Sequence, residues 1–149
     1  MKSYTKFLII FVLPTLFLFY FLHLHPNPTE YKVVRVIDGD TIELEDGTKV
    51  RLLEIDAPEK GERCYEEAKT RLEELVLNKK VRLEKDKEDK DRYGRLLRYV
   101  FIDCSLINLV LVKEGLAYSY IIEPNVKYMD KILDAEKFAK EFKIGCLWK

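Results

Sequence analysis

Residues 31–55, YKVVRVIDGDTIELEDGTKVRLLEI, alternate β-branched and aliphatic runs with two Asp-Gly pairs. An Asp-Gly pair between two such runs is a strong hairpin signal, because glycine accepts the backbone angles that a tight turn needs. We therefore predict three short strands, over 31–37, 41–44 and 50–55, joined as a meander.

The remainder of the chain predicts one helix, two further strands and then two helices. Apolar residues at helical spacing indicate the helices, and β-branched and aromatic runs indicate the strands. Five short strands with a helix between the third and the fourth suit a small closed Greek-key barrel of the oligonucleotide- and oligosaccharide-binding (OB) type. We therefore predict an α+β fold with a five-stranded barrel and three helices. The predicted elements are a helix over 64–77, strands over 81–83 and 96–102, a helix over 106–114 capped by Ser105, and a helix from about 125 to 145.

The N-terminal segment differs in composition from the rest of the chain. Residues 7–24 are uncharged and almost wholly apolar. Their length is close to the roughly 17 to 25 residues of a membrane-spanning helix, and no Ala-x-Ala cleavage site follows. We interpret residues 1–25 as a signal-anchor, with a cleaved signal peptide as the alternative. Residues 26–30 are then a linker, and residues 31–149 are the working domain.

The charges beside the apolar segment predict where that domain lies. Lys2 and Lys6 precede the segment, and under the positive-inside rule they remain cytoplasmic while everything after Pro26 lies outside. We therefore expect an extracytoplasmic domain, which is membrane-anchored through residues 7–24 or secreted if the segment is cleaved. We also expect a monomer.

The charge balance and the histidines limit the chemistry. The chain has 26 basic and 26 acidic residues, so the domain without its two N-terminal lysines is slightly acidic. This counts against a broad positive field for duplex nucleic acid. The only two histidines, His23 and His25, lie in or beside the apolar segment. Chemistry in the domain must therefore rely on carboxylates, guanidinium groups, a hard metal ion and water.

The chain has three cysteines, Cys64, Cys104 and Cys146. They form no Cys-x-x-Cys pair and have no histidine nearby, which argues against a zinc site. Outside the membrane two of them could form a disulfide, and three free thiols are the alternative. The spacing alone does not select the pair.

Two aspartates fall where neighbouring strands begin and end. Asp40 follows a turn at the start of a strand, where aspartate is disfavoured, and Asp56 ends the third strand. At neighbouring ends of a meander these carboxylates would repel each other unless a cation lay between them. Only oxygen ligands are available, so we predict Ca²⁺, with Mg²⁺ or Mn²⁺ as alternatives. Asp38 needs only the Asp-Gly turn to explain it.

Three other charged residues are candidates for the same site. Arg51 alternates with apolar residues in the third strand, so it is predicted to share their face and to need an anionic partner. Arg95 enters a later strand after a glycine, and a structural salt bridge is the alternative for either arginine. Glu59 lies in a loop and alone would be a solvated charge. We interpret the charged loop 85–92 as a solvated charge run.

Several short motifs lie in order along the domain: Asp38-Gly-Asp-Thr41, Arg51-Leu-Leu, Ile55-Asp56, Pro58-Glu59, Tyr93-Gly-Arg95, Asn108, Gly115-Leu-Ala117 and Trp148. In this order and spacing they resemble the staphylococcal-nuclease-like family of thermonucleases over essentially the whole domain. The resemblance implies a five-stranded barrel with three helices. It also implies calcium dependence and endonucleolytic cleavage of DNA and RNA to products that end in 3′-phosphates.

The resemblance also implies a metal site. Asp40 and Asp56 match calcium ligands, and the backbone carbonyl of residue 57 matches a third ligand. That residue is Ala57 here, where the best-known member of the family has threonine. Because the main chain supplies this ligand, we expect the difference to have little effect.

Five further residues take their expected roles from the resemblance. Arg51 and Arg95 match a pair of arginines that bind the phosphate, and Glu59 matches the residue proposed to activate the attacking water. Tyr93 and Tyr120 match tyrosines that line the nucleotide pocket. The expected partners are therefore single-stranded or frayed DNA and RNA.

Two other classes of protein compete with this interpretation. A nucleic-acid-binding barrel without catalysis would be expected to lack the carboxylates and arginines, and all of them are present here. A membrane-anchored interaction domain would explain residues 7–24 but not Arg51, Glu59 and Arg95 together. We therefore predict a metal-dependent endonuclease.

Overall fold

The computed structural model describes residues 29–149, and within this range the chain forms eight strands and four helices. The strands are β1 (Glu30–Asp38), β2 (Thr41–Leu44), β3 (Lys49–Leu52), β4 (Ile55–Asp56), β5 (Lys80–Glu84), β6 (Leu96–Ile102), β7 (Ser105–Leu106) and β8 (Tyr118–Ser119). The helices are α1 (Tyr65–Val76), α2 (Ile107–Lys113), α3 (Met129–Glu141) and the short α4 (Gly145–Trp148).

Five of the strands close into a barrel in the order β3-β2-β1-β5-β6. Neighbouring strands are antiparallel except β3 and β6, which pair in parallel and complete the ring. β4 pairs with β8 in a separate small sheet. The predicted α+β class and closed five-stranded barrel are confirmed, and the described part of the chain adds a four-residue helix, α4, to the three predicted helices.

The two Asp-Gly pairs serve different purposes. Gly47 has a positive φ of 82° and forms the tight turn between β2 and β3. Gly39 has no such angle, but a Cβ atom there would lie 2.6 Å from Cβ of Ala57 and 2.9 Å from Cβ of Ala68. Glycine at this position therefore allows the turn after β1 to pack directly against the segment after β4 and against α1.

The barrel interior and the helices share one apolar core. On α1 the buried residues Ala68, Leu72 and Val76 recur every four positions, which is the pattern of a helix with one face on the core. Asn108 of α2 is polar and is fully buried. Its Nδ2 donates to the carbonyl oxygen of Leu53 at 2.8 Å, and its Oδ1 accepts from the backbone N–H of Val100 at 3.0 Å. This one amide ties the end of β3 to β6.

One predicted helix start is wrong, and so is the predicted cap of α2, although α2 begins within one residue of its predicted start. Asn125 was the expected start of the last helix, but α3 begins at Met129. The Oδ1 atom of Asn125 instead accepts from the backbone N–H groups of residues 87 and 88, which holds this segment outside the helix. Ser105 lies in β7 and does not cap α2.

The third strand is also shorter than predicted. It ends at Leu52, because Glu54 adopts a left-handed backbone with φ 62°. The sequence predicted an alternation that places Arg51 on the same face as Leu53 and Ile55. This alternation is broken at residue 54. The chain resumes as β4, which carries Asp56.

A disulfide joins Cys64, at the start of α1, to Cys146 in α4. The sequence left this pairing open. Cys104 is an exposed free thiol. The disulfide therefore links the loop before α1 to the C-terminal helix.

The predicted signal-anchor, residues 1–25, lies outside the described residues. Within residues 29–149 no helix combines the length and the apolar character needed to cross a bilayer. The anchor, the domain boundaries and the extracytoplasmic location stay predictions.

Candidate functional site

A cleft of about 690 Å³ lies beside the turn after β1, the end of β3 and the start of β6. Seven of the eight predicted site residues line it, and the eighth, Ala57, is buried behind Asp40. The fold therefore brings the predicted set together. The lining residues are Asp38, Asp40, Arg51, Leu52, Leu53, Glu54, Ile55, Asp56, Glu59, Glu88, Asp91, Arg92, Tyr93, Arg95, Leu97, Tyr120, Ile122 and Asn125.

Asp40 is the most deeply buried carboxylate of the predicted set, with 6% of the residue exposed. Its Oδ1 accepts from the Thr41 hydroxyl at 3.0 Å, and its Oδ2 accepts from the backbone N–H of Ala57 at 2.8 Å. Burial raises the pKa of Asp40 to about 7, although Arg51 opposes the shift. The Arg51 guanidinium alone does not offset the cost of burying this charge, so added positive charge would favour the ionised form of Asp40.

Asp38 supports Asp40 from the preceding turn. Its Oδ1 accepts from the backbone N–H of Asp40 at 3.1 Å, a local bond that fixes the turn. This position agrees with the prediction of a turn residue.

Arg51 lies between the two predicted metal-binding aspartates. Its Nη2 is 3.0 Å from Oδ2 of Asp40 and 2.7 Å from Oδ1 of Asp56, so the expected anionic partners are present. Its Nη1 donates to the carbonyl oxygens of Leu52 and Ile55 at 2.6 and 2.7 Å. Three hydrogen bonds and the ion pair with Asp40 therefore occupy both terminal nitrogens of this guanidinium.

The donor set of the cleft fits a hard cation. Asp40 and Asp56 approach each other closely enough to share one nitrogen of Arg51. The cleft is lined by seven carboxylates and only three guanidinium groups, so added positive charge would be stabilised there. No group of three or more histidine, cysteine or acidic side chains within residues 29–149 is arranged to hold a metal. Two carboxylates completed by backbone oxygen and water suit Ca²⁺ or Mg²⁺ better than Zn²⁺.

Arg95 is oriented by Asp91, which sequence reasoning did not select. Oδ1 of Asp91 accepts from the backbone N–H groups of Tyr93 and Arg95 at 2.9 and 3.0 Å, and its Oδ2 accepts from Nε of Arg95 at 2.6 Å. Nη1 of Arg95 lies 3.5 Å from the Thr41 hydroxyl. The interpretation of loop 85–92 as a solvated charge run is therefore wrong for Asp91. The sequence held one signal for this role of Asp91, which stands two residues before Tyr93. An aspartate side chain commonly accepts from the backbone N–H of the residue two positions later in a turn.

Glu54 is a second residue that the sequence did not reveal. It is 3% exposed. Its Oε1 accepts from the Tyr99 hydroxyl and from the backbone N–H of Tyr128 at 2.9 Å, while Oε2 is buried without a partner. Burial raises the pKa of Glu54. The residue connects the wall of the cleft to the start of α3, and its left-handed backbone has no sequence signal.

Glu59 is exposed at the cleft. Its backbone N–H donates to Oε2 of Glu62 at 2.8 Å, and its carbonyl oxygen accepts from the N–H of Glu62 at 2.9 Å. These bonds fix the main chain of the loop, and none of them uses the Glu59 carboxylate. That carboxylate is therefore accessible to solvent and to a bound molecule.

The two predicted tyrosines are exposed at the rim. Tyr93 is 68% exposed and Tyr120 is 50% exposed. The Tyr93 ring centre lies 4.8 Å from the guanidinium carbon of Arg92 and 5.5 Å from that of Arg95. Exposed rings beside arginines form a surface on which bases can stack.

A small closed barrel with paired aspartates, two arginines and exposed tyrosines at one cleft places the chain among OB-type barrels with a charged cleft. Comparison with known families identifies the family to which the chain belongs. The model of the staphylococcal nuclease homologue family matches residues 49–149. The chain belongs to this family, and the resemblance predicted from the sequence is confirmed.

Three relatives illustrate the similarity. The chain is 43% identical over 126 residues to a thermonuclease of Staphylococcus hyicus, which covers 78% of this chain and 75% of that protein. It is 45% identical over 125 residues to endonuclease YncB of Bacillus subtilis (strain 168), and the match covers 76% of this chain and 59% of that protein. It is 34% identical over 134 residues to a micrococcal nuclease of Shigella flexneri, and the match covers 78% of this chain and 72% of that protein.

Proposed function

We propose that this protein is a calcium-dependent endonuclease that hydrolyses phosphodiester bonds of DNA and RNA and leaves 3′-phosphate ends. Family membership and the similarity to a thermonuclease over three quarters of both chains support the nuclease class. The observation that carries the proposal is the meeting of Asp40, Asp56, Arg51 and Arg95 around one cleft.

Asp40 and Asp56, with a backbone oxygen at residue 57, are the residues that would hold the metal. A hard cation bound there supplies Lewis-acid and template chemistry toward the phosphate and the water. Asp40 must be ionised for this role, and added positive charge beside it lowers the pKa that burial has raised. The high pKa of this carboxyl is therefore compatible with metal binding near neutral pH.

The two arginines would bind the phosphate. Planar guanidinium donors match the non-bridging oxygens and stabilise the charge that grows on them toward the transition state. Arg95 is held by Asp91 through Nε, which leaves its terminal nitrogens directed at the cleft wall near Thr41. Arg51 is occupied by Asp40 and Asp56, so it becomes available to a phosphate only when those carboxylates have another countercharge.

Glu59 would act on the water. Its free carboxylate can accept a hydrogen bond from the water and take its proton as the water oxygen bonds to phosphorus. The bond from phosphorus to the 5′-oxygen breaks, and the proton balance closes when that oxygen leaves as a hydroxyl. The phosphate stays on the 3′-oxygen of the other product. No histidine is present in residues 29–149 to take this role.

The exposed tyrosines favour a single-stranded or frayed substrate. Bases are accessible to Tyr93 and Tyr120 only when they are unpaired. The acidic balance of the domain is also poorly suited to non-specific duplex binding. We propose that the protein acts outside the membrane as a monomer, anchored through residues 7–24 or secreted. Mass spectrometry of the mature N-terminus distinguishes the anchored form from the secreted form.

One assay tests the proposed reaction. The purified protein is incubated with a labelled single-stranded oligonucleotide in calcium or in excess chelator, and the masses of the products identify their ends. We expect cleavage with calcium, none with chelator, and 3′-phosphate ends. Binding without cleavage would favour a non-catalytic barrel, and neither binding nor cleavage would favour an interaction domain. Arg35→Ala is a matched control, because Arg35 pairs with Glu43 outside the cleft.

A further inference from the structure

A second groove, of about 350 Å³, adjoins the catalytic cleft. It lies between the turn that joins β2 to β3 and the turn that precedes β6. Tyr93 and Arg95 line both cavities, so a strand that leaves the cleft past these residues enters the groove. The proposed nuclease function uses nothing else in this groove.

The groove differs in charge from the cleft. Its charged lining consists of Lys49, Lys90 and Arg95, and no carboxylate lines it. The cleft has seven carboxylates against three guanidinium groups. A polyanionic strand that continues from the cleft into the groove therefore meets positive charge without opposing carboxylates.

The two lysines have no countercharge of their own. Lys49 and Lys90 are exposed, and neither forms a salt bridge to another residue in the described part of the chain. Lys85 and Lys127, by contrast, pair with Asp89 and Glu84. An anion from another molecule can therefore bind these two lysines without displacing a carboxylate of the described chain.

The backbone of the groove is open and fixed in place. Gly47 and Gly94 lie at its two turns, and a Cβ atom at either would have nothing within 4 Å. Asp46 accepts from the backbone N–H of Thr48 at 2.9 Å, as Asp91 does for the other turn. The groove is thus preformed and has room for a backbone to approach closely.

We propose that Lys49 and Lys90 form a second phosphate subsite, which binds the sugar-phosphate backbone of a single strand beyond the nucleotide being cleaved. The inference rests on the proposed function and extends it by naming where the rest of the strand lies. OB-type barrels contact roughly 4 to 16 nucleotides, more than one cleft at a scissile phosphate accommodates. The continuity of the groove with the cleft favours a strand over a free anion.

The test compares a long and a short substrate in the full-length protein. Lys49→Ala/Lys90→Ala is measured against Lys113→Ala/Lys137→Ala, which removes the same charge from α2 and α3, where no residue lines either cavity. The substrates are a single-stranded 12-mer and a dinucleotide. We call Lys49→Ala/Lys90→Ala the groove variant. Its kcat/KM should fall about tenfold on the 12-mer, because loss of two exposed ion pairs costs about this much. Its kcat/KM on the dinucleotide should stay unchanged.

Salt dependence gives a second readout. Loss of two phosphate contacts should make the slope of log kcat/KM against log salt concentration shallower by about 1.4 for the 12-mer, while the control keeps the slope. Equal losses on both substrates, or an unchanged 12-mer rate, would overturn the subsite. Circular dichroism of each variant checks the fold.

A binding measurement separates the subsite from the catalytic proposal. Fluorescence anisotropy of a labelled 12-mer in chelator needs no cleavage. Weaker binding by the groove variant than by the control supports the subsite even if the protein proves inactive. Equal binding by both refutes it. Loss of calcium-dependent cleavage in the unaltered protein refutes only the proposed reaction.

Discussion

Arg51 and Arg95 differ in how firmly the fold holds them. Arg51 donates through Nη1 to two backbone carbonyl oxygens and through Nη2 to Asp56, and it forms an ion pair with Asp40. Only 13% of its side chain is exposed. Arg95 is paired through Nε with Asp91 and is 28% exposed. The sequence suggested the same role for both. The structure makes Arg51 a stabilising residue as well.

Alanine at the two positions should therefore give different results. Arg95→Ala should lower kcat by about 10² to 10³-fold, because a donor to the developing charge is lost. Its free energy of unfolding should change by no more than about 1 kcal/mol. Arg51→Ala should lower kcat and also destabilise the fold by about 3 kcal/mol, because Asp40 is left buried and unpaired.

Urea unfolding and turnover of both purified variants check this pair of expectations. Arg35→Ala, which breaks an exposed pair, is the control for loss of an arginine. Equal stability of the Arg51 and Arg95 variants would contradict the structural role of Arg51.

Asp40 gives a prediction for pH. Its pKa in the folded protein is about 7, above the ordinary value of 3.8, because the carboxyl is buried. The folded state therefore binds a proton that the unfolded state releases, and the resulting stabilisation is complete below pH of about 4 and lost as pH rises through about 7. In chelator we expect the free energy of unfolding to fall across this range. Asp40→Asn should flatten the dependence, because it carries no titrating proton.

The measurement is urea unfolding at several pH values between about 4 and 8. Burial also raises the pKa of Glu54, so the decisive quantity is the difference between the unaltered protein and Asp40→Asn. An unchanged difference across the range would show that Asp40 does not carry the proton.

At the level of the elements, the barrel strands were predictable because their signals are local. The Asp-Gly pair at 46–47 forms the expected turn, and alternating runs give the strands around it within one to three residues of their observed ends. The errors arise where a side chain is bonded to a distant backbone group. Asn125 holds the loop before β6 and delays α3, and such a contact cannot be inferred from spacing along the chain.

The candidate site shows the same division. Asp40, Arg51, Asp56 and Arg95 stand at unusual positions for their residue types, so the sequence identified them. Asp91 orients Arg95 through a hydrogen bond, but in the sequence it was interpreted only as part of a charged run. Glu54 owes its place to a left-handed backbone and to contacts with Tyr99 and Tyr128, and neither follows from local sequence.

Asn108 permits a prediction for the junction of β3, β6 and α2. Its amide satisfies the carbonyl of Leu53 and the N–H of Val100 in a fully buried position. Asn108→Ala leaves both groups without a partner, at a cost of about 1 to 3 kcal/mol for each. We expect a free energy of unfolding lower by about 2 to 5 kcal/mol in urea. Thr70→Ala at an exposed position of α1 is the comparison, and an equally small effect at both positions would contradict the role of Asn108.

For the molecule as a whole, the disulfide between Cys64 and Cys146 restricts the unfolded chain. The two cysteines are 82 residues apart, and closing a loop of this length is worth about 4 kcal/mol in the chain-entropy account. Cys64→Ser/Cys146→Ser should lower the free energy of unfolding by about this amount. Cys104→Ser should not, because that thiol is exposed and free. Thermal unfolding with and without reductant checks both, and insensitivity of the unaltered protein to reductant would contradict the disulfide.

The parallel pairing of β3 with β6 has a practical consequence. Asp40, Arg51 and Asp56 all come before α1, whereas Arg95 comes after β5, and only closure of the barrel brings the two groups together. A chain divided at the exposed turn around Asn78 would place half of the cleft on each fragment. Turnover would then report the reunion of the fragments, which is the property required of a fragment-complementation sensor.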